Sequence, residues 1–362
     1  MSQIEVRLLQ RSDRDRYDAF LAKSDAFMPC ASARYGDVLS RFMPKTCGVT
    51  FIAFDNSGEL VGSLPCRQLE NERFGSVLNS LPFFGSIGGV HALNKDPEIY
   101  RALLEAADTY CLEHGVVSST VIGSPLDEHA NLYEEMPGPV VIDERIAMIS
   151  HLPEKGDDLE GRLFSQYHES RRRNVRKAIR LGVTVEVNNT SKGMDFLERV
   201  HVDNISSIGG LTKPHAFFRA VEEVMKPGAE YQLYEGTLNG ETVASLLLLY
   251  FNKTVEYFTP ALVHEHRPTQ ALCLLIHQAM LDAARDGYRY WNWGGTWKTQ
   301  TSLYSFKKKW GAQESVYNYY TKLYPGSEEL IRLEPAELME EYPYFFAFPF
   351  GAIDKKQGRT NG

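Results

Sequence analysis

Between Trp291 and Gly311 the chain gathers three Trp, a Gly-Gly pair, a Phe-Lys-Lys-Lys cluster and a closing Trp-Gly. A hydrophobic stretch from Tyr288 to Trp293 runs into Gly294 and Gly295; polar residues follow, then cations on an aromatic frame. Glycines let a backbone approach a ligand closely, and cations beside them suit an anion or a carbonyl that gains negative charge. A packed strand, a Gly turn and a solvated basic helix would use the same residues. Trp291 and Trp293 share one face of the strand, as core residues do.

A second candidate lies just upstream. Leu272, Leu275, Ile276, Ala279 and Ala283 fall on one face of a helix read from Gln270 to Gly287. Pro268 suits its first position, and Arg267 precedes it where a Ser, Thr, Asn or Asp cap is expected. The amides of Thr269, Gln270 and Ala271 are then expected to be open beside a cation and a positive dipole end, a site for phosphate. A related helix, read from Ile99 to Gly115, begins with Asp96, Pro97 and Glu98. Its capped, acidic end repels an anion.

These segments sit in a repeated order. FDNSGELVGSLP from Phe54 and GTLNGETVASLL from Gly236 both read strand, turn, strand, with Gly58 matching Gly240 and Glu59 matching Glu241. Each hairpin leads on to a strand, a Gly-ended helix and another strand: VVSSTVIG in one copy and YRYWNWGG in the other. The repeat predicts an α+β chain of two tandem domains, residues 1–150 and 151–362, with mixed, mostly antiparallel sheets flanked by helices. Between the copies, ESRRRNVRKAIRLGV reads as a short helix from a Ser170 cap to a Gly182 stop. Six cations fall between Arg171 and Arg180, which reads as a phosphate-facing patch or as a solvated face.

Composition narrows the field. The net charge of −8 over 362 residues argues against a protein that coats DNA. The five Cys are scattered without C-x-x-C spacing, and the ten His show no metal-ligand pattern, so no metal site is expected. The N-terminus is charged from Glu5, and no apolar run approaches bilayer length. The expected location is the cytoplasm, with the periphery of the inner membrane also open through the aromatic tail from Tyr342 to Gly351.

The motifs RRRNVRKAIRLGV, GYRYWNWGG and YSFKKKWGA, with LPFFGSIGG from Leu81 to Gly89, resemble the FemABX-like peptidyltransferases and their acetyltransferase-like bacterial relatives, within the GCN5-related N-acyltransferase (GNAT) superfamily. The similarity spans about residues 50 to 320. It implies two tandem GNAT-like domains and transfer of an acyl or aminoacyl group to an amine of a cell-envelope glycan, nucleotide-sugar or peptidoglycan precursor. The front domain is expected on the acceptor side and the back domain to hold the donor and catalytic site. The family's Phe-Lys pair falls on Phe306 and Lys307, making Lys307 the first catalytic candidate. The backbone along Tyr257 to Pro260 is the other source of stabilisation, and Glu256, Tyr257, His264 and His266 are the candidate bases. Arg267, Thr269, Gln270 and Ala271 are expected at the donor; Phe83, Phe84, Gly85, Arg172, Arg176, Tyr304 and Phe306 at the acceptor. Arg267 is followed by Pro-Thr-Gln-Ala-Leu-Cys, not by the glycine loop that cradles coenzyme A in ordinary members. The aminoacyl-tRNA branch shares this departure, so acyl-coenzyme A and aminoacyl-tRNA both stand as co-substrates, with no tightly bound cofactor. A degenerate module that only binds or scaffolds is the third reading. Oligomeric state is left open.

Overall fold

A computed structural model describes residues 4–25, 27–81, 83, 88–93, 96–126, 129–136, 138–297 and 299–349. The front half runs β1 (Glu5–Leu8), α1 (Arg14–Leu21), α2 (Ala33–Phe42), β2 (Thr46–Phe54), β3 (Leu60–Leu69), β4 (Ser76–Asn79), β5 (His91–Ala92), α3 (Pro97–Glu113), β6 (Val116–Ile122) and β7 (Val140–His151). The back half runs α4 (Leu159–Gln166), α5 (Glu169–Arg180), β8 (Thr184–Val187), α6 (Ser191–Ser206), α7 (His215–Val224), β9 (Tyr231–Leu238), β10 (Glu241–Phe251), β11 (Thr254–Leu262), α8 (Ala271–Asp286), β12 (Tyr290–Thr296), α9 (Thr301–Lys308), β13 (Gln313–Leu323) and α10 (Pro335–Glu341).

The repeat is a real structural repeat. Each half holds a hairpin (β2–β3, β9–β10), then a strand, a helix and a strand that returns parallel to the first: β4–α3–β6 and β11–α8–β12. These are the only parallel pairs among the named strands of the described residues; the rest are antiparallel. The second hairpin turns on Asn239 and Gly240, both at positive φ (53° and 82°), as a two-residue turn requires. The first turn is longer, and Asp55 Oδ1 accepts from the amides of Ser57 and Glu59.

The sheet does not break between the halves. Its order is β1-β2-β3-β4-β6-β13-β7-β12-β11-β10-β9-β8. The late strand β13 lies between β6 and β7, and β7, which ends at His151, carries the ladder on to β12. Each half thus lends a strand to the centre. Two helical layers cover the sheet. On one face α1, α2, α6 and α7 share a core that joins both halves, through Phe42, Phe217, Phe258 and Leu247. On the other face α3 packs over the front strands, and α4, α5 and α8 over the back ones.

Candidate active site

The site begins where two strands part. β11 and β12 pair at Thr254 with Tyr290, Val255 with Trp291 and Glu256 with Asn292, and there the pairing stops. β12 then bulges against β7 between Asn292 and Gly295, with Gly294 at φ 71°. β11 continues along β10 with an irregularity at Phe258, the residue that Leu247 and Leu248 skip. The result is a wedge between Tyr257–Leu262 and Trp293–Thr296. Pro260, with no N–H to give a ladder, lies in this parted stretch.

Charge collects at the apex. Glu256 is 4% exposed, and its Oε2 accepts from Asn292 Nδ2 at 2.7 Å. Asn292 Oδ1 accepts from the Gly294 amide at 3.0 Å, so one side chain fixes both the carboxyl and the start of the bulge. Burial pushes the Glu256 carboxyl up to about 8, against Asn292 and the charge of Lys307. Lys307 on α9 is also 4% exposed. Its ammonium donates to Thr296 Oγ1 at 2.7 Å, Gly295 O at 3.0 Å and Gly294 O at 3.3 Å, the carbonyls of the bulged arm. Burial pulls it down to about 8, and Glu256 opposes this. No direct ion pair joins the two among the described residues.

Lys213, which the sequence did not single out, approaches the same strand from the other helical layer. Its Nζ lies 3.5 Å from Phe258 O and 4.8 Å from the Phe258 ring centroid, and burial lowers it to about 7. No spacing rule marks a lone Lys in a loop.

The opposite face of the wedge is aromatic. Tyr257 lies 4.9 Å from Trp293, which lies 6.0 Å from Trp310 and 6.2 Å from Phe306. Trp291 and Trp310 are fully buried and Trp293 nearly so, so these rings are core. Arg171 on α5 spans from this frame to α8: its guanidinium sits 5.1 Å from the Phe306 ring, and Nη1 donates to Cys273 Sγ at 3.4 Å. Asn174, one turn on, also reaches Cys273. The RRRN run held the signal for this pair.

The start of α8 differs from the sequence reading. Pro268 lies inside a 3-10 helix, His264–Thr269, and Gln270 takes a left-handed φ of 63° before α8 opens at Ala271. The expectation of open amides is corrected at two positions. Gln270 N–H donates to Arg267 O at 3.3 Å, and Ala271 N–H to Thr269 Oγ1 at 3.2 Å. The tight turn supplies local acceptors that a direct entry into the helix lacks. Arg267 remains exposed. The first-copy helix matches expectation: Asp96 accepts from Glu98 N at 2.9 Å. α5 is capped by His168, two residues before Ser170, and stops at Gly182 with φ 83°.

Among the expected acceptor residues, Phe83 is fully buried, its ring 4.3 Å from Phe42 and 4.9 Å from Phe217, so its side chain belongs to the core. Phe84 and Gly85 lie outside the described residues. Arg172 is half-buried and Arg176 exposed on α5, where Arg176 lies over Phe164. Tyr304 and Phe306 are half-buried on α9, and Tyr304 OH donates to Glu314. Of the donor and acceptor sets, the structure links Phe306 to the α8 start through Arg171. No cluster of His, Cys, Asp and Glu suited to a metal occurs among the described residues, and no helix there is long and apolar enough to cross a membrane.

Residues 165–308, which hold the wedge, α5, α8 and Lys307, match the acetyltransferase (GNAT) domain family. No curated protein matches the chain in sequence. Solved structures match it in fold. FemX is 13% identical with a TM-score of 0.67, covering 91% of this chain and 99% of its own. L-PGS from Bacillus licheniformis is 13% identical with a TM-score of 0.53, covering 92% and 97%. A tandem GNAT protein from the clavulanic acid biosynthesis pathway is 11% identical with a TM-score of 0.52, covering 89% and 98%. Residues 165–308 thus match the acetyltransferase (GNAT) domain family, and the whole chain shares the fold of FemX and of the tandem GNAT protein.

Proposed function

We propose that this chain transfers an acyl or aminoacyl group from an activated donor to an amine of a cell-envelope glycan, nucleotide-sugar or peptidoglycan precursor, in the cytoplasm or at the inner face of the membrane. The observation that carries this reading is the parting of β11 and β12 at Glu256 and Asn292, with a carboxyl and an ammonium buried at its apex. An amine enters as its ammonium and must lose a proton to attack a carbonyl. A carboxyl held near 8 is a base matched to that step. Negative charge then grows on the carbonyl oxygen. Lys307 supplies positive charge at the apex and fixes the bulged arm, while the parted backbone from Tyr257 offers edge donors. Tyr257 also contributes its ring to the wall. The amine–carbonyl bond forms as the bond to the donor's sulfur or oxygen breaks, and the leaving group takes up a proton.

Acyl-coenzyme A is the proposed donor, its phosphates met by Arg171, Asn174 and the exposed Arg267 near the start of α8, where Thr269, Gln270 and Ala271 shape the turn. Arg172, Arg176, Tyr304 and Phe306 are the proposed acceptor contacts, with the backbone of the Phe83–Gly85 segment. The exposed Arg173, Arg176 and Arg180 on α5 favour a second reading, an aminoacyl-tRNA donor. A donor screen separates them: labelled acetyl- and longer acyl-coenzyme A against charged tRNA, with amino sugars and UDP-linked amino sugars as acceptors. Thiol release that depends on an amine supports the first donor and label leaving the tRNA supports the second; neither would remove acyl transfer from this chain.

A further inference from the structure

The front half holds a cavity of about 230 Å³ between α1, α2 and the β2–β3 hairpin. Arg14, Gly36, Asp37, Ser40, Gly48 and Arg67 line it, and none of the residues assigned to transfer does. Arg67, on β3, is 3% exposed. Its Nε donates to Thr46 Oγ1 at 2.6 Å and its Nη2 to Ser40 Oγ at 2.8 Å. Both hydroxyls spend their own protons elsewhere: Thr46 on Met43 O and Ser40 on Gly36 O. The guanidinium therefore meets neutral acceptors only. Among the described residues no carboxylate pairs with it, and the cavity's one acid, Asp37, is held through both oxygens by Arg14.

A buried cation without a counter-charge is costly, and the strain shows in the Arg67 guanidinium, lowered by burial to about 10. A guanidinium carries five N–H donors in a planar fork that fits carboxylate or phosphate. Two are used here. Nη1 lies 3.7 Å from where a Cβ on Gly48 would stand, so the absence of a side chain at Gly48 leaves room beside it. At Gly36, which also lines the cavity, an added Cβ meets nothing within 4 Å.

We propose that this cavity is a second ligand site, in which the Arg67 fork takes the oxyanion end, carboxylate or phosphate, of a small molecule. The volume lies below the roughly 300–1,000 Å³ of drug-sized sites, so the anionic group enters and the remainder stays outside. The site does not depend on acyl transfer at the wedge.

The test is calorimetric titration of the full chain with inorganic phosphate, pyrophosphate, acetate and citrate at fixed ionic strength. Saturable binding is expected, and the preference between phosphates and carboxylates identifies the ligand group. Arg67→Gln weakens that binding at least about tenfold. Gly36→Leu fills the cavity from a helix position with open space, so it abolishes binding while the melting temperature holds or rises. Arg332→Gln, on an exposed arginine elsewhere, leaves binding intact. No saturable binding by any of the four anions overturns the proposal. So does binding that survives in folded Gly36→Leu, or that falls equally in Arg332→Gln. Gly36→Leu decides the matter if Arg67→Gln fails to fold.

Discussion

Asn292 Nδ2 donates to Glu256 Oε2 at 2.7 Å, and these two residues are also the last that pair β12 with β11. The same contact therefore marks the end of a ladder and opposes the rise in proton affinity that burial gives the carboxyl beside it. A carboxyl buried there costs stability when ionised. That cost is offset only in part by Asn292 and by Lys307, and it leaves a base of about 8 at the apex of the wedge.

The first prediction follows from that base. Transfer requires Lys307 as ammonium, which bends kcat/KM of the wild type down above about 8, and Glu256 as carboxylate, which gives the profile its rising limb toward about 8. Glu256→Gln loses this limb and falls by about 10²–10³ in kcat, within the range of general-base catalysis. A variant that keeps the wild-type pH profile sinks the assignment.

Stability gives an independent reading of the same group. The folded value of about 8 lies above the ordinary 4.5, so the folded state holds this proton more tightly than the unfolded chain. The contribution is fully present below about pH 4.5 and is lost as pH rises through about 8. Lys307 has the opposite sign: its folded value lies below 10.5, so its contribution is present above 10.5 and lost as pH falls through about 8. Urea midpoints from pH 5 to 8 are expected to decline in the wild type, and less steeply in Glu256→Gln.

Lys307 is predicted to matter twice. Lys307→Met leaves Thr296 Oγ1 and the carbonyls of Gly294 and Gly295 without their buried donor, at a cost of about 1–3 kcal/mol for a stranded group. It also removes positive charge from the apex, expected to lower kcat by about 10²–10³. Denaturation and steady-state rates on one preparation separate the two effects. Unaltered kcat in Lys307→Met or Lys307→Ala takes the ammonium out of the chemistry.

How much of this was legible in the sequence depends on the range of the forces involved. Asp96, Pro97, Gly182, Asn239 and Gly240 act within a few residues, and each sits where its local chemistry places it. The start of α8 was displaced because Pro268 suits a 3-10 turn as well as the first position of an α-helix. Strand partners were out of reach. Alternation marks β13 and β7 as strands, but nothing local tells that β13 joins β6, across some two hundred residues, and knits two expected domains into one sheet. The parting of β11 from β12 is likewise tertiary. Gly294 and Gly295 permitted it, and the carboxyl at Glu256 gained its character only from what buries it.

A cap prediction checks that the front helix plays no part in transfer. Asp96→Ala removes the acceptor for Glu98 N at 2.9 Å and is expected to cost about 1 kcal/mol in unfolding free energy, with transfer rates unchanged. A rate loss without a stability loss would place a ligand at the first-copy helix.

Arg171 is the sharpest test of the donor site. It touches both Phe306, next to Lys307, and Cys273, in the first turn of α8. A residue that holds a donor phosphate contributes to binding in ground and transition states alike, so its loss raises KM for the donor with little change in kcat. A charge-assisted hydrogen bond is worth about 1.5–3 kcal/mol, or roughly ten- to hundredfold in KM. Arg171→Met keeps the stem that packs on Phe306 while removing the charge, so a packing role leaves KM near the wild-type value. The donor KM of the wild type should also rise with salt, and that of Arg171→Met rise less. If Arg171→Met instead lowers kcat alone, the guanidinium serves the aromatic frame behind Lys307, and the donor's phosphates lie elsewhere.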